Sequence, residues 1–402
     1  MKKIGIITYY YNSKNYGGLL QAYALEKYLI DLGYDAKQIC VSYIKRNQST
    51  QRNRIKAIIK EEGFGYLFIR VFQNIIKKIV TIFNRVIGKF FNSDYHINNR
   101  KNSVKHFRDD LISHTKDVYD QSTIYNCQQF DVYICGSDQV WRGINRYDDL
   151  NPAYWLSFVE SNKRKVSYAA SISLPYIPKG TESKVEKALL DFDAISVREK
   201  NDKEMLEKIL DRSIDWVVDP TMLLPQKEWK KLCVYNKYAG KNYIFAYFLG
   251  GNIRVRKWVK KFAKKKELQV VTIPYLLDTF RISDVGFGDI RLSRVSPELW
   301  LTLIKDAKYV FTDSFHGTVF SLLFHKQFFT FCRESDKSKS SGNSRIYSLF
   351  ELFSITDRLI NVSNDVTTLL DNTSSIDYEY VDLVIERERD RSFSFLKNGI
   401  EN

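Results

Sequence analysis

The chain has 402 residues, 44% of them hydrophobic, which is the length and balance of a soluble globular protein with room for two domains and two cores. Its five cysteines, Cys40, Cys127, Cys135, Cys233 and Cys332, are scattered without a close pair, which argues against a zinc site or a disulfide framework and suits a reducing cytoplasm. A net charge of +15 points to anionic partners: phosphorylated small molecules, acidic lipid headgroups or nucleic acid. The lack of a helix-turn-helix, zinc-finger or RNP-type motif argues against the last.

The N-terminus runs from Met1-Lys2-Lys3 straight into Ile4-Gly5-Ile6-Ile7-Thr8-Tyr9, a strand too short and too aromatic for a signal-peptide core. A polar loop from Asn12 to Gly18, an amphipathic helix from Leu19 to Leu32 stopped by Gly33, and a strand around Ala36–Tyr43 make a βαβ unit. Asn15, Tyr16, Gly17 and Gly18 therefore fall at a strand end and a helix start, where backbone amides meet an anion or a sugar. The G-x-G-x-x-G spacing of a dinucleotide site is missing, and the glycine pair also reads as a plain tight turn.

Between about 45 and 91 the composition changes. Arg52, Arg54, Lys56, Lys60, Arg70, Lys77, Lys78, Arg85 and Lys89 are opposed only by Glu61 and Glu62, while Phe68, Phe72, Ile75, Ile79, Phe83, Val86 and Phe90 recur at helical spacing. This is a basic amphipathic helix whose charges exclude a membrane span. Its apolar face has two possible destinations, the headgroup region of an anionic bilayer or the protein core.

Further strands at Phe130–Cys135, Lys165–Ser171 and Ala194–Val197 each run into polar residues, among them Asp138, Gln139, Trp141 and Arg198, so several strand ends share one edge. Asp215–Thr221 reads as the last strand of a first domain. A second α/β series follows, with strands at Tyr243–Leu249 and Leu268–Ile273, a very basic helix at Ile253–Lys265, and a helix capped by Ser296 with Pro297 at its first position. Tyr309 to Phe324 reads as a buried strand turning sharply into a helix, with His316 and Gly317 at the junction. Gly317 lets a ligand approach the backbone, and His316 either moves protons or simply caps its helix. A strand at Phe328–Cys332, a Ser/Lys-rich loop at Glu334–Gly342, a helix at Ser344–Phe353 and an exposed helix from Asp377 to about Leu396 complete the chain.

Six segments in order, Asn15-Tyr16-Gly17-Gly18-Leu19-Leu20-Gln21-Ala22-Tyr23-Ala24-Leu25, Gly136-Ser137-Asp138-Gln139-Val140-Trp141, Ser196-Val197-Arg198-Glu199, Val218-Asp219-Pro220-Thr221, Thr312-Asp313-Ser314-Phe315-His316-Gly317 and Asn343-Ser344-Arg345-Ile346, closely resemble the polysaccharide pyruvyl transferase family. The resemblance implies an α/β fold of two Rossmann-like domains facing a cleft, GT-B-like, here expected at 1–222 and 223–402 with a helical insertion at about 45–110. It implies a donor, phosphoenolpyruvate, added to two hydroxyls of one sugar of a bacterial surface polysaccharide as a cyclic ketal, with phosphate released and no metal or other cofactor. A sugar-nucleotide glycosyltransferase or a non-catalytic assembly protein on the same fold is the alternative.

By that resemblance His316 is the general acid, and Arg198 holds the anionic donor together with Ser314, Phe315, Gly317 and Arg345. Asp138 is the candidate base for an acceptor hydroxyl, or caps its turn. Asn15, Tyr16, Gly17, Gly18, Gln139 and Trp141 form the acceptor side. Members of the family tend to carry arginine two residues before the histidine, where this chain has Ser314, so Arg345, Arg333 or Lys326 is expected to supply the cation. An acceptor carried on a lipid diphosphate would place the protein in the cytoplasm, peripheral on the inner face of the plasma membrane.

Overall fold

The computed structural model describes residues 1–42, 48–90, 93–275, 277, 280–333, 342–360 and 375–402. The first residues of the expected insertion, 43–47, and residues 334–341 of the Ser/Lys-rich loop lie outside the described residues. The chain builds two wholly parallel sheets. The first contains β1 (Lys3–Ile7), β2 (Asp35–Val41), β3 (His114–Tyr119), β4 (Val132–Cys135), β5 (Arg164–Ala170), β6 (Ala194–Val197) and β7 (Asp215–Trp216), in the order β3-β2-β1-β4-β5-β6-β7. The second contains β8 (Tyr243–Tyr247), β9 (Gln269–Thr272), β10 (Ile290–Arg291), β11 (Tyr309–Thr312), β12 (Gln327–Phe331) and β13 (Leu359–Ile360), in the order β10-β9-β8-β11-β12-β13. Strands such as Val132–Cys135 and Tyr243–Tyr247 are buried along their whole length, as parallel strands covered on both faces must be.

Each order reverses once, between β1 and β4 and between β8 and β11. In open α/β sheets the crevice for a ligand opens beyond the strand ends at such a point. The helix α1 (Tyr16–Asp31) follows β1 and starts three residues before the expected Leu19. Asn15 is its N-cap, accepting from the Gly17 amide at 3.1 Å, so the glycine pair belongs to the first helical turn and not to a loop. After β11 comes α9 (Phe315–Leu323), capped by Ser314, whose hydroxyl accepts from the Gly317 amide at 3.3 Å.

The insertion is two helices, α2 (Gln48–Phe90) and α3 (Ser93–Leu111). The second is anchored on the first half: Arg100 donates to the Lys14 carbonyl at 2.9 Å and lies 3.1 Å above the Tyr16 ring. Of the remaining helices, α4 (Glu182–Leu189), α5 (Lys200–Leu210), α6 (Gln226–Lys231), α7 (Ile253–Lys265), α8 (Pro297–Asp306) and α10 (Ser344–Leu352) pack between and beside the strands. The terminal helix α11 (Tyr378–Glu401) returns to the first sheet. Arg164 donates to the Gly399 carbonyl at 2.9 Å, and the Tyr168 and Phe395 rings meet at 6.4 Å. One apolar core runs through both halves, from Leu19 and Leu25 of α1 through Trp229 to Trp300 and Phe320.

Candidate active site

Between the two reversal points lies a cavity of about 370 Å³, walled by strand ends from both sheets. The first half contributes Tyr9 after β1, Asn15 at the start of α1, and Asp138, Gln139 and Arg142 after β4. Leu249 after β8, then Ser314, Phe315 and His316 at the start of α9, Arg333 after β12 and Arg345 in the first turn of α10 close the other side.

His316 is 6% exposed and held from two directions. Its Nε2 faces Asp219 Oδ2 at 3.5 Å, and its Nδ1 rests on the backbone of Gly17, where a Cβ would fall 2.0 Å from that nitrogen. Gly17 is therefore a glycine because the imidazole occupies the place of its side chain. Gly18 has a similar constraint, since a Cβ there would lie 2.8 Å from the Tyr9 carbonyl.

Asp219 is the hub beneath the cavity. Oδ2 accepts from Arg198 Nη1 at 2.9 Å and from the Ser137 hydroxyl at 3.0 Å, while Oδ1 accepts from the Thr221 amide and hydroxyl at 3.0 and 2.7 Å. Burial by itself would raise the pKa of Asp219, but His316, Arg198 and the Thr221 hydroxyl outweigh it and hold the carboxyl well below the usual carboxylate range. Arg198 shows the converse balance. Burial opposes its charge, and Glu199, Asp219 and Asp138 together hold it above the ordinary arginine value. Next along the chain, burial and the Glu199 charge push Asp202 well above the usual range.

Several expected contacts are placed differently. Arg198, expected on the donor, is only 4% exposed and lies behind the wall. It is paired with Glu199 at 3.0 Å and Asp219 at 2.9 Å and stacked 4.4 Å from the Phe315 ring. Its Nη2, 3.9 Å from Asp138 Oδ1, has no hydrogen-bond partner among the described residues. Gly317 does not reach the cavity; it is glycine because a Cβ would meet Thr312 Oγ1 at 2.6 Å. Tyr16 is buried between the halves, donating to the Val295 carbonyl at 2.8 Å, with its ring 5.4 Å from Trp300. Trp141 is likewise core, stacked on Trp155 at 5.1 Å and donating to the Tyr154 carbonyl. Lys326 turns away and donates to the Ala307 carbonyl.

Asp138 Oδ1 accepts from the Gln139 amide at 2.9 Å, and the residue borders the cavity in a left-handed conformation, φ +76. Gln139 also borders it, its amide fixed on the Ser173 hydroxyl at 2.7 Å. Asp313 does not cap α9. Its carboxylate takes the Leu249 and Gly250 amides, both at 2.7 Å.

In place of an arginine at 314, two cations arrive from later in the chain. Arg333 donates to the Asp313 carbonyl at 2.9 Å, and neither its Nε nor that of Arg345 has a hydrogen-bond partner among the described residues. Burial, with the Arg333 and Arg198 charges, pushes Arg345 down to about 9 against the pull of Asp138 and Glu199. A group of buried donors carrying excess positive charge is built to take an anion. Among the described residues, no three His, Cys, Asp or Glu side chains gather as a metal site.

A family model for polysaccharide pyruvyl transferase matches residues 15–333. The chain belongs to that family. The match runs from the cap of α1 to Arg333 and so takes in most of the cavity wall, Tyr9 and Arg345 excepted. No curated protein sequence matches. Among solved structures, a Listeria monocytogenes protein assigned as a UDP-N-acetylglucosamine 2-epimerase aligns at TM-score 0.52 and 10% identity over 99% of this chain and 96% of its own. The UDP-GlcNAc 2-epimerase of Methanocaldococcus jannaschii aligns at 0.47 and 10% over 96% and 92%, and an alpha-glucosyltransferase in complex with UDP at 0.46 and 9% over 99% and 96%. At such identity the first of these shows the shared fold alone: this family member has the GT-B-like arrangement of two parallel α/β halves about a cleft.

Proposed function

We propose that this transferase moves the enolpyruvyl group of phosphoenolpyruvate onto two hydroxyls of one sugar of a bacterial surface polysaccharide, forming a cyclic ketal and releasing phosphate. The observation that carries the reading is His316 seated on Gly17, backed by Asp219 and bordering a cavity that Arg333 and Arg345 make cationic. The arginines hold the phosphate and carboxylate. Protonated His316 delivers its proton to the methylene carbon of the donor, and the adjacent carbon, now oxocarbenium-like, takes the oxygen of one sugar hydroxyl. The C–O bond to phosphate breaks, and a second hydroxyl of the same sugar adds to the same carbon, closing the ketal. Two protons leave the hydroxyls, one replacing that given by His316, and Asp138 is the carboxylate on the cavity wall able to accept one. Neither step needs a metal or redox cofactor. The acceptor would be met on a lipid diphosphate at the inner membrane face.

The test is phosphate release from phosphoenolpyruvate with a panel of β-galactosides and N-acetylmannosaminides, wild type against His316→Ala. Release that needs both acceptor and His316 is expected. Its absence, with thermal protection by a uridine or cytidine nucleotide and none by phosphoenolpyruvate, would instead favour glycosyl transfer. A nonreactive protein that still binds the acceptor would point to an assembly role.

A further inference from the structure

The long helix α2 supplies a surface that neither half of the protein covers. From Phe64 to Phe90, about 27 residues and so roughly 40 Å at 1.5 Å per residue, it leaves large apolar side chains in solvent. Phe64 and Phe68 are both 74% exposed and Phe90 is 84% exposed; between them Phe72, Ile75, Ile79, Phe83 and Val86 are each about half exposed or more. These residues follow one another at three or four positions, which stacks them along a single stripe. The core-packing alternative is therefore not what the fold adopts. An exposed apolar stripe of this length is far beyond the isolated surface hydrophobics of ordinary proteins.

The charge on the same helix identifies what covers it. Nine lysines and arginines stand against two glutamates in the segment, and the described Lys78, Arg85 and Lys89 are exposed away from the apolar stripe. Two copies of so basic a helix would repel each other, whereas an anionic lipid surface attracts the basic flank and takes up the apolar one. No helix among the described residues is long and apolar enough to cross a membrane. We propose that α2 lies in the headgroup layer of an anionic bilayer, attaching the protein as a peripheral membrane enzyme.

The root of the helix gives this attachment a direction. At its C-terminal end Gly88 is packed so tightly that a Cβ would fall 2.6 Å from Ser93 Oγ and 2.8 Å from Phe280 Cβ. The next residue, Arg281, donates to the carbonyl of Leu249, which lines the cavity. The attached lipid surface therefore begins beside the mouth of the cleft. This inference rests on the helix alone and stands or falls separately from the chemistry proposed for His316.

The experiment is sedimentation of the full chain with vesicles of phosphatidylcholine alone or with 30% phosphatidylglycerol, as a choice on the order of the anionic lipid content of a cell membrane. Two variants are compared with wild type: Phe68→Ser/Phe72→Ser/Ile79→Ser and Lys78→Glu/Arg85→Glu/Lys89→Glu, both confined to exposed positions and checked for an unchanged thermal melt. Wild type should bind the anionic vesicles at least about tenfold more tightly than the neutral ones, with salt weakening the binding, and each variant should lose about tenfold or more. Equal binding to both vesicles, binding that survives the apolar substitutions, or a lipid-free dimer that the apolar substitutions dissociate would each overturn the proposal.

Discussion

His316 and Asp219 face each other at 3.5 Å across the seam between the two halves, Nε2 to Oδ2, and the carboxylate side chain is wholly buried. The pair links the one imidazole on the cavity wall to the buried Arg198 and Ser137, so the orientation of the ring is set from the first half although the residue belongs to the second. Because Asp219 titrates below its unfolded range, its contribution to stability is present in full above about pH 5 and is lost as the pH falls below about 4. Asp219→Asn should therefore cost about 3 kcal/mol at pH 7 by leaving Arg198 underpaired, with the difference from wild type shrinking toward pH 3. Urea unfolding at the two pH values reads this directly, and the variant's turnover should drop with its donor KM little changed.

Gly17→Ala tests the seat of the imidazole. A methyl group 2.0 Å from Nδ1 cannot coexist with the ring as placed, so His316 must move. A displacement of about 1 Å at a reacting group can cost on the order of a hundredfold in rate. The expected result is such a loss in turnover with a destabilisation of only about 1–3 kcal/mol, measured by steady-state kinetics alongside thermal melting.

Arg345 should carry donor affinity. Losing one charge-assisted contact to an anion costs about 1.5–3 kcal/mol, so Arg345→Ala should weaken phosphoenolpyruvate binding by about ten- to a hundredfold in calorimetry, with Arg345→Lys in between.

Away from the cavity, Glu26 of α1 is 3% exposed and accepts from the Ser113 amide at 2.8 Å. Burial, against that amide, pushes it up to about 8. A folded value above the unfolded one means native stability is complete below about pH 4 and declines as the pH rises toward 8. Glu26→Gln should match wild type near pH 4 and exceed it by roughly 2–4 kcal/mol at pH 9, as seen by chemical denaturation at each pH.

Much of this architecture is written in local pattern. Ile253–Lys265 is found as a helix over the residues expected, and Ser296 with Pro297 opens α8 as its capping chemistry requires. The strand ends around Asp138 and His316 were legible because hydrophobic runs stop there at polar residues. What pattern could not reveal was depth. Arg198, Tyr16 and Trp141 look like cleft residues by position along the chain, and only packing turns them inward, Arg198 and Tyr16 against Phe315 and Trp300 of the other half and Trp141 against Trp155 of its own. Asp219 stood in the sequence as an aspartate before a proline, a capping signal with nothing to mark its partner, because His316 lies 97 residues away. The edge strands β3, β10 and β13 are hard to read for a different reason: edge strands such as His114–Tyr119, with three exposed residues in the middle, carry little of the hydrophobic signal that marks a central one.

The return of α11 to the first sheet has a mechanical consequence. The polypeptide passes between the halves twice, once after β7 and once along α11 itself, which starts beside His325 of the second half and ends over Tyr168 of the first sheet. A fragment ending near residue 222 would leave that face bare, and one beginning there would carry a helix without its platform. Because α11 ties the two halves together, a substitution that weakens its grip on the first sheet should lower the melting temperature of the whole molecule and not of one lobe.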